Sequence, residues 1–137
     1  MKHSRFIIVI VILFISTVCF AQVKHPIDKF EEDEIAKDST TAGMANASVK
    51  AREKWDAEMN KYYKLLMSIL DKKSKEILKT SQKAWVEYRD KEFKNIQNIY
   101  TQLQGTMYIP MESQDKTEIV KSRALELKAY YELLKNK

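Results

Sequence analysis

Pro26, Gly43, Gly105 and Pro110 are the only prolines and glycines among 137 residues. These two residue types interrupt regular structure most strongly, so their scarcity confines the breaks in the chain to a few places. The stretches between them are rich in Ala, Lys, Glu, Leu, Met and Gln, all of which favour helix. No strand-like alternation and no internal repeat stands out. Over residues 44–70 the apolar side chains Met44, Ala47, Ala51, Trp55, Met59, Tyr62, Leu66 and Ile69 recur in steps of three or four. That spacing lays them on one face of a helix about 40 Å long.

The other elements follow from the same two signals. Pro26 suits the first turn of a short helix with Ile27, Phe30 and Ile35 inward and Glu31, Glu32, Asp33 and Glu34 in water. A calcium loop would break such acids with glycine, and none is there. Residues 38–43 read as a turn in which Thr40 or Thr41 caps the second helix. Residues 71–74 read as a bend, capped by Asp71 or Ser74. It leads into a third helix ending near Gln104, with Ile77, Leu78, Ser81, Trp85, Tyr88, Ile96, Tyr100 and Leu103 on its face. Gly105 ends that helix. Residues 105–114 read as an irregular segment, and Asp115 with Glu118 as a capping box opening a last helix faced by Ile119, Arg123, Leu127, Tyr130 and Leu134. The expected fold is all-α: a small bundle built on a long antiparallel hairpin of the second and third helices, with the short N-terminal helix and the C-terminal helix over the seam.

The start of the chain reads as an export signal. Lys2, His3 and Arg5 precede an uncharged apolar run over residues 6–18, and Cys19 and Ala21 are the small residues that place a cut after Ala21. The run is short for a membrane span, which disfavours an uncleaved anchor. Val18 is a poor residue to precede a lipidated cysteine, which disfavours a lipid anchor on Cys19. Cleavage leaves residues 22–137 as one domain, periplasmic or secreted, with no stable membrane span. That domain contains no cysteine, so packing must hold it without disulfides. Loss of Lys2 and Arg5 lowers the net charge from +5 to +3, too mild for a nucleic-acid binder.

Nothing in the spacing supports an enzyme. His25 is the one histidine left after cleavage, and no nucleophile or acid sits in a motif beside it. No phosphate loop, dinucleotide fingerprint or metal motif occurs, so no cofactor or metal is expected. Trp85, Tyr88 and Arg89 occupy adjoining helical positions, where a guanidinium and a ring meet within one turn. Arg89 and Arg123 lie flush with apolar stripes, and inward-facing charges need partners, here Asp56, Asp90 or Glu126. The segment over residues 105–114 is the best place for partner binding. There Tyr108, Ile109 and Met111 flank Pro110 beside Met107, without a helical period to bury them.

Several of these stretches carry a resemblance. Residues 40–44 (Thr-Thr-Ala-Gly-Met), Trp55-Asp56, residues 59–63 including Tyr62, the run Gln82-x-Ala84-Trp85-x-x-Tyr88-Arg89-Asp90 and residues 123–127 from Arg123 onward occur in that order. The pattern resembles the LprI-type lysozyme inhibitor N-terminal domain family over nearly the whole exported chain. The resemblance implies a small helical protein of the bacterial envelope and, for the best-known branch, inhibition of lysozyme. It also implies a cysteine pair joining the first two helices, where this chain has Glu34 and Ala47. Two readings follow. In the first, the segment bearing Tyr108, Ser113 and Lys116 enters the lysozyme cleft with its two carboxylates. In the second, the chain is a structural or adaptor helical module of the envelope that binds another protein. Animal lysozymes are usually basic, so a chain of net charge +3 gains no long-range attraction to them.

Overall fold

The computed structural model describes residues 24–135, and the expected export signal, with the cut expected after Ala21, lies outside them. Four helices follow in order: α1 Pro26–Lys37, α2 Thr41–Ile69, α3 Lys72–Tyr100 and α4 Tyr108–Lys135. The fold is all-α, as the helix-forming composition implies. The caps are those the sequence offers. Thr40 caps α2, its Oγ1 accepting from the Gly43 amide at 3.0 Å, and Asp71 caps α3, its Oδ1 accepting from the Ser74 amide at 2.8 Å. Both side chains satisfy amides that the first helical turn leaves without partners.

The closest helix pair differs from the expected one. α3 does run antiparallel to α2, with Gln82 beside Met59 and Arg89 beside Asp56. The tight pairing, however, is between α2 and α4, which run parallel. Thr117 Oγ1 donates to the Ser48 carbonyl at 2.9 Å, and the Tyr131 ring lies 5.9 Å from that of Tyr62. Both contacts join residues 69 positions apart, so the two helices keep one register along their length. Ala47, Ser48 and Ala51 on α2 and Thr117 and Ala124 on α4 are buried and small, which lets the backbones approach. Bulky Trp85 and Phe93 on α3 pack onto the resulting core from further out. Connection length therefore does not decide the tightest pair here; side-chain size does.

The core is Trp55, Met59, Tyr62, Leu66, Val120, Ala124 and Leu127. The α2 contribution is the stripe expected from its spacing, except that Ile69 is exposed and Met44 only half-buried. On α4 the buried residues are Thr117, Val120, Arg123, Ala124 and Leu127; of the expected stripe Arg123 and Leu127 are among them, whereas Ile119 is half-buried and Tyr130 exposed. Trp85 is half-buried, whereas Trp55 is fully enclosed.

α1 lies on α2. Glu31, expected in water, is buried and accepts from Ser48 Oγ at 2.6 Å. Glu34 accepts from Lys50 of α2 at 2.6 Å as well as from Lys37. These two contacts join α1 to α2 where the resemblance implied a disulfide. Hydrogen bonds from Lys37 and Lys50 hold the Glu34 carboxyl at about 2. Gly43 sits in the first turn of α2, against the preceding turn. A Cβ there would fall 2.2 Å from Asp38 Cγ and 2.4 Å from the Asp38 carbonyl oxygen. Gly43→Ala, which would stabilise an open helix, is expected to destabilise this one by about 1–3 kcal/mol in a urea melt.

Candidate protein-binding site

The segment over residues 105–114 is not a loop. Only a short turn separates α3 from α4, and Gly105 supplies its one left-handed residue at φ 119°. Tyr108 opens α4 and Pro110 stands in its first turn, where a missing amide hydrogen costs nothing. Asp115 and Glu118 are interior to α4 and cap nothing; Asp115 Oδ2 instead accepts from the Tyr100 hydroxyl at 2.6 Å. That bond, then burial and the charges of Asp115 and Glu112, raise the Tyr100 hydroxyl above its ordinary value. It ties the end of α3 to the start of α4 and fixes the tip of the bundle.

The tip is apolar and uncovered. Met107 is 60% exposed, Ile109 52% and Met111 44%, joined by Ile99 at the end of α3 and Leu103 in the turn after it. Residues so exposed in one place mark a contact surface more often than chance scatter does. Beneath them, a cleft of about 500 Å³ runs between α3 and α4. Its walls include Tyr88, Tyr100 and Tyr108, with the Tyr100 and Tyr108 rings 6.4 Å apart, and Met111. Glu92, Asp115 and Glu118 supply carboxylates to the lining, which contains no lysine or arginine.

The structure brings Tyr108 and Met111 into this cleft, while Met107 and Ile109 are exposed but do not line it. It does not bring Ser113 or Lys116 with them. In helical register those two fall on another face of α4, where the Ser113 carbonyl accepts from Thr117 and Lys116 pairs with Glu112. Their separation follows from the helix: a loop could gather all six residues, whereas 100° per residue spreads them around an axis. The acids of the cleft were missed because their helical spacing, Tyr108, Met111, Asp115 and Glu118, begins seven residues before the expected helix start.

The Trp85 motif is occupied with structure. Arg123 is buried; its Nε donates to Gln82 Oε1 at 3.0 Å, and it pairs with Glu126. Arg89 donates to Asp90 at 2.7 Å, comes within 4.0 Å of Asp56 and lies 5.6 Å over the Trp85 ring. Arg89 thus reaches α2 at Asp56 and Gln82 reaches α4 at Arg123, while Asp90 and Glu126 compensate the two arginines from within their own helices. Tyr88, one turn further along α3 than Trp85, is 52% exposed and also lines the cleft.

His25 caps α1, its Nδ1 accepting from the Ile27 amide at 3.3 Å, and its ring lies 4.3 Å from the Trp55 ring. Burial, then the positive charge of Lys128, holds this imidazole below 6.5. Both the cap and the burial require the neutral ring. Its contribution to α1 docking is therefore complete above pH 6.5 and lost as pH falls through the lowered folded value. Amide exchange in α1 is expected to accelerate over that descent, and His25→Asn, which caps without titrating, to flatten the profile.

Residues 33–127 match the family described as Lysozyme inhibitor LprI. A crystal structure of an uncharacterized protein from Burkholderia thailandensis is similar at 26% identity with a TM-score of 0.77, over 82% of this chain. The chain spans 57% of the length of that protein. No curated protein matches the chain. The family match covers α2 and α3 whole and ends at Leu127 in α4, so it includes the core, the Trp85 motif and the cleft at the tip: the chain belongs to the LprI lysozyme inhibitor family.

Proposed function

We propose that this chain is an exported inhibitor domain that binds a lysozyme-type partner through the tip where α3 turns into α4. The observation that carries this reading is the cleft itself: tyrosines and Met111 with Glu92, Asp115 and Glu118, at a tip that also exposes Met107 and Ile109. Apolar and aromatic side chains supply the desolvated centre of a contact, and charge at its rim selects the partner. The net charge of +3 gives no attraction to a basic lysozyme, but the carboxylates at the tip present the opposite local sign. The whole-chain charge is therefore a poor guide to steering at this surface. Secretion with cleavage after Ala21 fits such a partner, which is met outside the cell.

The test is a lysis assay in which residues 22–137 are titrated against several lysozyme classes acting on bacterial cell walls. Saturable inhibition near one-to-one stoichiometry is expected. Met111→Asp should weaken it by about a hundredfold, as loss of a 2–3 kcal/mol contact anchor does, while the melting temperature stays near wild type because Met111 is exposed. A folded protein that inhibits none of the classes would leave the adaptor reading, with a different partner at the same tip.

A further inference from the structure

The opposite end of the molecule has a different character. The C-terminal ends of α2 and α4 and the N-terminal end of α3 meet there, about 40 Å along α4 from the tip at 1.5 Å per residue. Leu66, Leu70, Leu78, Tyr130, Leu133 and Leu134 line an open groove of about 470 Å³ with almost no polar surface. Leu133 is 69% exposed, the highest value among the large apolar side chains of the described residues, and Ile77 is 60% and Ile69 47% exposed.

Charge is concentrated around the same end. Residues 61–83 hold seven lysines against two acids, Asp71 and Glu76, an excess as large as the net charge of the whole chain. Lys64, Lys72, Lys73 and Lys79 are exposed, and among the described residues none of these four has a carboxylate within ion-pair distance. Like charges gathered without counter-ions repel one another, and an anionic partner relieves that repulsion. A polyanion such as nucleic acid would satisfy the lysines and leave the leucine groove and Leu133 in water. A neutral apolar partner would do the reverse. An anionic lipid surface satisfies both, with acyl chains meeting the groove and headgroups meeting the lysines.

We propose that this end is a membrane-contact surface that seats the protein on anionic lipid. No helix among the described residues is long and apolar enough to cross a membrane, so the contact is peripheral. Seating by this end points the α3–α4 tip away from the bilayer. The inference rests on a surface separate from the tip, so it stands or falls independently of lysozyme binding.

The test is co-sedimentation of residues 22–137, which contain all four helices and the whole core, with vesicles. Phosphatidylcholine vesicles containing phosphatidylglycerol are compared with pure phosphatidylcholine. Binding to the anionic vesicles, weakening with salt, is expected, with little to the neutral ones. Ile77→Asp with Leu133→Asp, and separately Lys72→Glu with Lys73→Glu, should each lower the partition coefficient about tenfold or more. All four positions are exposed, so helix content and melting temperature serve as the folding control. No sedimentation with anionic vesicles at low salt would overturn the proposal. So would unchanged binding of the aspartate pair, which would show attraction by charge alone with no apolar docking.

Discussion

Trp55→Ala is expected to cost about 3–5 kcal/mol in a two-state denaturant melt, the usual loss when a large buried aromatic is deleted. Trp55 is 0% exposed and stands at the centre of the core, with Met59 and Leu127 in the same cluster and His25 stacked upon it. No neighbour can close over the void, because the α2–α4 pair is already at the spacing its small residues allow. A loss of this size is a large fraction of the 5–15 kcal/mol that holds a domain of this size folded. The same change at Trp85 should cost clearly less, since that ring is half-buried and borders water. Trp55→Phe separates the ring from its polar edge. The Trp55 Nε1 is buried with no hydrogen-bond partner, so phenylalanine keeps most of the packing and removes an unsatisfied donor. A Trp85→Ala loss equal to that of Trp55→Ala would contradict this placement of the core.

Ala124→Leu tests the same contact from the other helix. The constant offset of 69 residues between α2 and α4 sets Ala124 opposite Trp55, and both are 0% exposed. A leucine adds three carbons where a large ring already fills the space, so either helix must move. Overpacking of this kind costs about 1–3 kcal/mol. Seen by sequence alone, Ala124→Leu would enlarge an apolar stripe and raise helix burial, so the two views predict opposite signs for one melt. Pairing Trp55→Phe with Ala124→Leu should recover part of the loss, because the smaller ring returns volume to the neighbour. Additive losses in the double variant would show that the two positions do not share one space.

The helices themselves were legible in the sequence. With four helix-breaking residues and steps of three or four, α2 could be little else, and side-chain chemistry narrowed each cap to two neighbours, Thr40 or Thr41 and Asp71 or Ser74, of which Thr40 and Asp71 serve. Those are local properties: a backbone amide in the first turn lacks a partner wherever the helix lies. The acids that meet Arg89 and Arg123 were also legible, because a charge on an apolar stripe must be compensated within reach. The start of α4 was not. Pro110 and Gly105 lie close together, and a proline suits both a loop and the first turn of a helix, so the sequence permits either reading. Tertiary contact decided between them through Tyr100, whose hydroxyl reaches Asp115 and holds the early turns of α4 against α3.

What the sequence determined by itself is an all-helical chain with its caps, its aromatic stripe on α2 and its family. Local geometry and short-range chemistry suffice for these. Which helices touch depended on how closely two backbones can approach, a property of side chains from distant segments meeting. Ala47, Ser48 and Ala51 bear on this only once Thr117 and Ala124 stand opposite them. The same long-range assembly carried Glu31 out of water and parted Ser113 and Lys116 from Tyr108. It also separated a carboxylate-lined tip from a lysine-rich end in a chain whose net charge suggested neither.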